Sequence, residues 1–287
     1  MPEPRVAALL TCHDRRERTL ACLDALFAQR DTGADISVTL VDSGSRDGTS
    51  AAVAEKYPQV RVISCPSGVY WCGGMRIAHR AAAVANPDFF LWLNDDTMLF
   101  SNALHTLLSA HAKLASARPQ PAIVVGSVRN PDNGLHTYGG VVRVSRWHPF
   151  RYRLVPPGGK ILPCDTFQGN CVLVPRDAAA IVGNLDARFT HGIGDTDYGL
   201  RANRLGCGTF VAPLFVGTCR KNDPSVDWDA PSLPLRARWA RVRSVKGLPP
   251  AEHLVFVRRH GGVLWPIYYA MPYLRAAMPR LASRGAS

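Results

Sequence analysis

Three clusters of polar residues in this sequence have the types and spacing to do chemistry. The first ends an apolar run, Phe89-Phe90-Leu91-Trp92-Leu93, with Asn94-Asp95-Asp96-Thr97. Two adjacent carboxylates at the end of a buried strand repel each other unless a cation neutralises them. Hard oxygen donors suit Mg2+ or Mn2+, and either ion can also hold phosphate oxygens and stabilise a departing diphosphate. The same Asp and Thr residues are also good caps for a following helix.

The second cluster is Val41-Asp42-Ser43-Gly44-Ser45-Arg46-Asp47-Gly48-Thr49. A strand delivers Asp42 to a sheet edge and a Gly/Ser turn bends the chain away. A carboxylate there can accept hydrogen bonds from a pyrimidine or a ribose, while Asp47 or Thr49 would cap the next helix. The third is His191-Gly192-Ile193-Gly194-Asp195-Thr196-Asp197, with Arg201 one helical turn beyond Asp197. A carboxylate in a cleft can take the proton from an attacking hydroxyl. Standing alone, the segment would equally be a helix cap followed by an intrahelical ion pair of small energetic value.

The elements that must position these loops follow from periodicity. Strand-like runs at Val6–Leu10, Val38–Val41, Arg61–Ser64 and Phe89–Leu93 alternate with helical patterns through Leu20–Phe27, Thr49–Tyr57 and Met75–Val84. A further helix carries Leu104, Leu107, Leu108, His111 and Leu114 on one face. Such alternation predicts an α/β fold with a mostly parallel, Rossmann-like sheet flanked by helices. Ligands then bind beyond the carboxyl ends of the strands, at the loops after residues 10, 41 and 93. The second half predicts strands at 123–125, 171–174 and 209–212, a helix at 195–205, and a small antiparallel excursion from Asn130 to Pro163.

Composition bounds the class. The chain has 287 residues, 47% of them hydrophobic and 20% charged, as in an ordinary globular protein. Eight dispersed cysteines without a C-x-x-C pair read as reduced thiols of a cytoplasmic protein. No signal-peptide core follows Met1. Net charge is +12, and residues 228–287 hold ten Lys/Arg against Asp229 and Glu252. The same tail carries Val263, Leu264, Trp265, Ile267, Tyr268, Tyr269, Met271, Tyr273 and Leu274, interrupted by Pro266 and Pro272. It is too short and broken to span a bilayer, but basic and aromatic residues together suit contact with a membrane surface, peripheral at the inner face. A tail that simply closes over the core is the other reading.

In order and spacing, the motifs resemble glycosyltransferase family 2, whose members are inverting enzymes of GT-A fold. Thr11-Cys12-His13-Asp14-Arg15 is similar to the family's opening P-T-Y-N-R, and residues 41–49 to its V-D-D-G-S-x-D-G-T. Gly68–Ala78 resembles G-x-x-x-G-G-x-N-x-A, Asn94-Asp95-Asp96 resembles D-x-D, and Gly194–Arg201 resembles E-D-x-D-x-x-x-R. The likeness covers roughly residues 5–220, and this variant of the motifs is similar to rhamnosyltransferase-like bacterial members.

The resemblance implies transfer of a hexose or deoxyhexose from a UDP- or dTDP-sugar to a hydroxyl of a glycan or lipid-linked glycan in surface polysaccharide synthesis. It implies that Asp42 and the backbone at Thr11 contact the nucleobase, and that Asp96 binds Mn2+ or Mg2+ beside Asn94 and Asp95. Asp195 is then the general base, with Asp197 and Arg201 holding its loop. Arg76 stands where the family often has Asn, and its guanidinium suits a diphosphate oxygen; a surface Arg is the alternative. Cys219 falls where many relatives carry a metal-binding His, and its soft sulfur matches Mg2+ or Mn2+ poorly. Trp71 suits stacking on a sugar or base, or packing on the sheet.

The expected organisation is a GT-A domain over 1–227, with a nucleotide-binding half about 1–97 and an acceptor half about 98–227, followed by a basic extension over 228–287. A sugar-nucleotide pyrophosphorylase is disfavoured because the loop after the first strand has no glycine. A dehydrogenase is disfavoured because no G-x-G-x-x-G follows that strand. A nucleic-acid binder is disfavoured because the charge sits in the tail and no recognition motif is readable.

Overall fold

A computed structural model describes residues 3–145, 147–221 and 233–278. The expected boundary at 227/228, and the tail residues Arg280 and Arg284, lie outside the described residues.

The first half is the alternation that its periodicity requires. Strands β1 (Arg5–Cys12), β2 (Asp35–Asp42), β3 (Arg61–Ser64) and β4 (Phe89–Leu93) are connected through α1 (Arg16–Phe27), α2 (Thr49–Lys56) and α3 (Trp71–Ala83). They pair in parallel in the order β3-β2-β1-β4. Residues of β1 fall alternately into two cores: Val6, Ala8, Leu10 and Cys12 on one face, Ala7 and Leu9 on the other. Helices on both faces thus explain why these strands read as unbroken apolar runs rather than alternating ones.

After β4 come a two-residue strand β5 (Met98–Leu99), helix α4 (Ala103–Ala117) and strand β6 (Ala122–Arg129). The excursion holds β7 (His136–Tyr138), β8 (Gly140–Arg143), β9 (Tyr152–Leu154), β10 (Leu162–Pro163) and β11 (Thr166–Phe167). Of these, β11, β8 and β9 form a separate antiparallel sheet. The chain returns through β12 (Cys171–Pro175), α5 (Arg176–Val182), α6 (Gly194–Arg204) and β13 (Gly208–Thr218). In the large sheet β12 runs antiparallel between β4 and β6, and β13 is parallel to β6. All its long strands except β12 therefore point one way, and their carboxyl ends share one edge.

Two boundaries differ from expectation for identifiable reasons. Strand β13 continues well past Ala212, because register shifts after Val211 and Phe215 absorb Pro213 and Leu214 as bulges. Helix α3 starts at Trp71 rather than Met75, with the glycine pair inside it. A Cβ at Gly74 would collide with the Thr11 side chain, so this glycine lets α3 lie close against β1. The tail forms α7 (Leu235–Val242), α8 (Pro250–His260) and α9 (Trp265–Ala277), with Pro250 and Pro266 in first turns, where no backbone donor is lost. Phe256 and Val257 of α8 share a buried cluster with Cys72, Phe189 and Leu200, and Trp265, Tyr268 and Tyr269 of α9 pack against it.

Candidate active site

The loop after β4 is not a helix cap. Helix α4 begins at Ala103 with Asn102 before it, so Asn94, Asp95, Asp96 and Thr97 are free for another role. The backbone N–H of Asn94 donates to the Asn170 carbonyl at 3.0 Å, and its Oδ1 accepts Trp71 Nε1–H at 2.7 Å. Arg15 Nη1 lies 3.0 Å from both Asp95 Oδ1 and Asp96 Oδ2. The Asp95 side chain is only 6% exposed, against 20% for Asp96. Burial, opposed by the Arg15 guanidinium and reinforced by neighbouring Asp96, pushes the Asp95 carboxyl up to about 6.

Asp95 Oδ2 is buried without a hydrogen-bond partner, and the Asp96 carboxylate beside it retains solvent access. Two hard carboxylates of this kind fit Mg2+ or Mn2+ when phosphate oxygens complete the shell. Cys219 does not extend the set. Its Sγ is 3.6 Å from Asp96 Oδ1, but burial raises the thiol to about 12, so it stays protonated and points a weak donor at Asp96. Among the described residues, no group of three or more His, Cys, Asp or Glu side chains is arranged to hold a metal.

Asp42 ends β2 with 3% exposure, level with Cys12 of β1. Its Oδ1 accepts the Ser45 N–H at 2.8 Å and its Oδ2 accepts the Ser50 hydroxyl. Each oxygen keeps lone-pair capacity for a ligand. The capping role falls to Asp47 instead, whose Oδ1 accepts Thr49 N–H at 3.0 Å at the start of α2. Ser43 ties this loop to the next by donating its hydroxyl to the Val69 carbonyl.

Asp195 lies in the first turn of α6. Its Oδ2 accepts the Gly169 N–H at 2.9 Å and its Oδ1 accepts the Thr196 N–H at 2.7 Å. Burial raises its carboxyl above the usual range, against those two hydrogen bonds. Gly169 joins this loop to the first one. A Cβ on it would lie 2.5 Å from Trp71 Cη2, and Trp71 is the residue bonded to Asn94. Asn94, Trp71, Gly169 and Asp195 therefore form one continuous wall. Asp197 is fully buried, with Arg201 Nε at 2.8 Å, and Arg201 also donates to the carbonyls of Val182 and Asn184.

Two guanidinium groups lie in or beside these loops. Arg76, for which a diphosphate oxygen is the expected partner and a surface position the alternative, donates Nη1–H to the Phe189 carbonyl at 3.0 Å, in the loop before α6. Arg15 is the guanidinium at the Asp95 and Asp96 carboxylates. Its position in the opening motif was visible, but its partners lie 80 and 81 residues away, and nothing local in the sequence signals the pairing. Thr11 places its side chain against Gly74, with its backbone in register with Val41 of β2.

A parallel sheet whose carboxyl edge gathers a buried Asp, a carboxylate pair and a carboxylate at a helix start is the architecture of the GT-A glycosyltransferases. The family model for glycosyl transferase family 2 matches residues 8–174, and the chain belongs to that family. It is a glycosyltransferase. It is 27% identical over 237 residues to an N-acetylglucosaminyl-diphospho-decaprenol L-rhamnosyltransferase of Mycobacterium tuberculosis, covering 73% of each chain. Among solved structures, it is similar to a mannosyltransferase of Pyrobaculum calidifontis in complex with GDP-Man and Mn2+, with TM-score 0.57 and 18% identity over 99% of this chain and 76% of that one. S. aureus TarS (residues 1-349) is similar too, at TM-score 0.57 and 12% identity, over 97% and 82% of the two chains.

Proposed function

We propose that this enzyme transfers a deoxyhexose, L-rhamnose first among the candidates, from a dTDP- or UDP-sugar to a hydroxyl of a lipid-linked glycan, with inversion. The sugar and acceptor classes are drawn from the relative named as a rhamnosyltransferase of a decaprenol-linked substrate. The observation that supports the reading is the wall from Asn94 through Trp71 and Gly169 to Asp195, which links the loop of the carboxylate pair to the loop of the candidate base.

In this reading Asp42 accepts from the nucleobase or ribose with the lone pairs that Ser45 and Ser50 leave open. Asp96 leads, with Asp95, in holding Mn2+ or Mg2+. When bound, the ion neutralises the charge that gathers on the departing diphosphate. Arg15 supplies a second positive charge beside it. Asp195, made more basic than an ordinary carboxylate by its burial, takes the proton of the acceptor hydroxyl as that oxygen attacks the anomeric carbon. Attack from the face opposite the diphosphate inverts the configuration. The backbone N–H groups of Gly169 and Thr196 keep the carboxylate aimed.

The site of action in this proposal is the cytoplasmic face of the inner membrane, reached by contact rather than insertion. No helix among the described residues is long and apolar enough to cross a bilayer. Calorimetry with dTDP and UDP in the presence of Mn2+ tests the donor site, and absence of binding to both would sink the reading. Asp96→Ala is expected to weaken that binding about tenfold or more. Asp195→Asn is expected to spare it while lowering transfer roughly 10²–10⁴-fold, the usual contribution of a general base.

A further inference from the structure

Asp197, two residues beyond the candidate base, has no solvent exposure. Its Oδ2 accepts Arg201 Nε–H from its own helix, and its Oδ1 accepts Arg259 Nη1 at 2.6 Å and His260 Nε2 at 2.9 Å from α8. The state of His260 follows from its other nitrogen. Arg204 Nη2, which can only donate, faces Nδ1 at 3.1 Å, so Nδ1 accepts and the proton sits on Nε2, directed at Asp197. Arg259 spans two carboxylates, because its Nη2 also donates to Asp186 Oδ2 at 2.7 Å. About two turns earlier on α8, Glu252 Oε2 accepts the Thr190 N–H at 3.0 Å. Glu252, Arg259 and His260 are spaced i, i+7 and i+8, on one helical face. That face clamps the loop from Asp186 to Asp197 at three points.

The loop needs a clamp. Ile193, immediately before α6, has φ +54°, a left-handed conformation that a β-branched residue adopts only under constraint. Strain of this kind persists only where the surroundings over-determine it. Ile193 is packed against the cluster that Phe256 and Val257 of α8 help to form.

We propose that Arg259 and His260 are positioning residues for Asp195: by fixing Asp197 they hold the first turn of α6, and so the aim of the base. The proposal rests on the reading of Asp195 as the base. Helix α8 is then part of the catalytic unit rather than an appendage to it. Its effect is felt at the Gly169 amide, whose hydrogen bond to Asp195 Oδ2 breaks if the turn relaxes.

The test uses the full-length chain carrying His260→Leu, Arg259→Ala or His260→Gln, the last keeping an N–H in place of Nε2. Readouts are turnover of dTDP-rhamnose and UDP-sugars as probes, calorimetric affinity for dTDP and UDP, and amide exchange at Gly169 compared with β1 and β4. His260→Leu and Arg259→Ala are expected to lower kcat about tenfold or more, as small misplacements of a reacting group do. Nucleotide affinity should stay within about twofold, Gly169 should exchange faster while β1 and β4 do not, and His260→Gln should recover most of the rate. Unchanged kcat and unchanged Gly169 exchange would overturn the proposal. So would faster exchange throughout β1 and β4, which marks a general stabilising role. The base reading fails separately, if Asp195→Asn turns over like the wild type.

Discussion

Trp71 shows how much one side chain can connect at this site. Its Nε1–H holds Asn94, its ring lies against Gly169, and it packs edge-on to Trp92 at 5.9 Å. Gly169→Ala would drive a methyl group into that ring, which cannot retreat without releasing Asn94. Overpacking of this kind costs about 1–3 kcal/mol. The variant is expected to melt several degrees lower and to lose both donor affinity and transfer. A Gly169→Ala protein with wild-type turnover would show that the wall is not needed. Trp71 was legible in the sequence only as a residue with two possible uses, stacking on a ligand or packing on the sheet. The packing on the sheet is observed, against Trp92 of β4, but the bridge between two loops depends on a glycine 98 positions away, which the order of motifs does not encode.

At the scale of elements, the strands and the three acidic loops were readable because apolar runs and the polar residues ending them are local signals. Pro213 hid the rest of β13, and Gly73-Gly74 hid the first turn of α3, because a bulge and a close helix–strand approach are decided by partners distant in sequence. Helix α9 carries the least expected pattern. Its aromatic side, with Trp265, Tyr268 and Tyr269, faces the protein. Ile267, Met271, Leu274 and Met278, spaced i, i+4, i+7 and i+11, are exposed, and Val263 just before the helix is 93% exposed. An aliphatic stripe turned to solvent suits an apolar partner. A chain with net charge +12 favours an anionic bilayer over a second copy of itself. Sedimentation with phosphatidylglycerol vesicles is expected to carry the protein down, weakly at high salt. Ile267→Glu with Leu274→Glu should reduce binding by about tenfold or more, since burying each such side chain is worth roughly 1.5–3 kcal/mol. Equal binding by this variant would refute the docking face.

Six histidines of the molecule are partly or wholly buried, His253 and His260 the most fully. Burial lowers the affinity of His79, His111, His136, His191, His253 and His260 for protons, His253 to about 4. The unfolded chain titrates these groups near 6.5 and the folded protein resists, so protons favour unfolding as pH falls below about 6.5 toward the folded values. His253, 5% exposed, should alone remove about 1 kcal/mol by pH 5.5. Asp197, held below the usual carboxylate range with burial outweighed by His260, Arg201 and Arg259, adds a loss that begins only below about 4. Melting temperature is expected to hold steady above neutrality and to fall on the way to pH 5.5. Protonation of Asp95, raised to about 6, opposes part of this loss, so the profile is read in Asp95→Asn, where a flat course between pH 7.5 and 5.5 would contradict the burial of these rings.

The clamp on Asp197 also sets an order of events during synthesis. Its two partners from α8 are 62 and 63 residues further along the chain. At about 5–20 residues per second, a ribosome that has just made the carboxylate needs on the order of 3–12 s to supply them. For that interval the nascent chain has strands β1 to β4 complete but its acidic turn open. Premature termination before α8 would yield a chain that carries the whole family-matched span and still leaves Asp197 without these two partners.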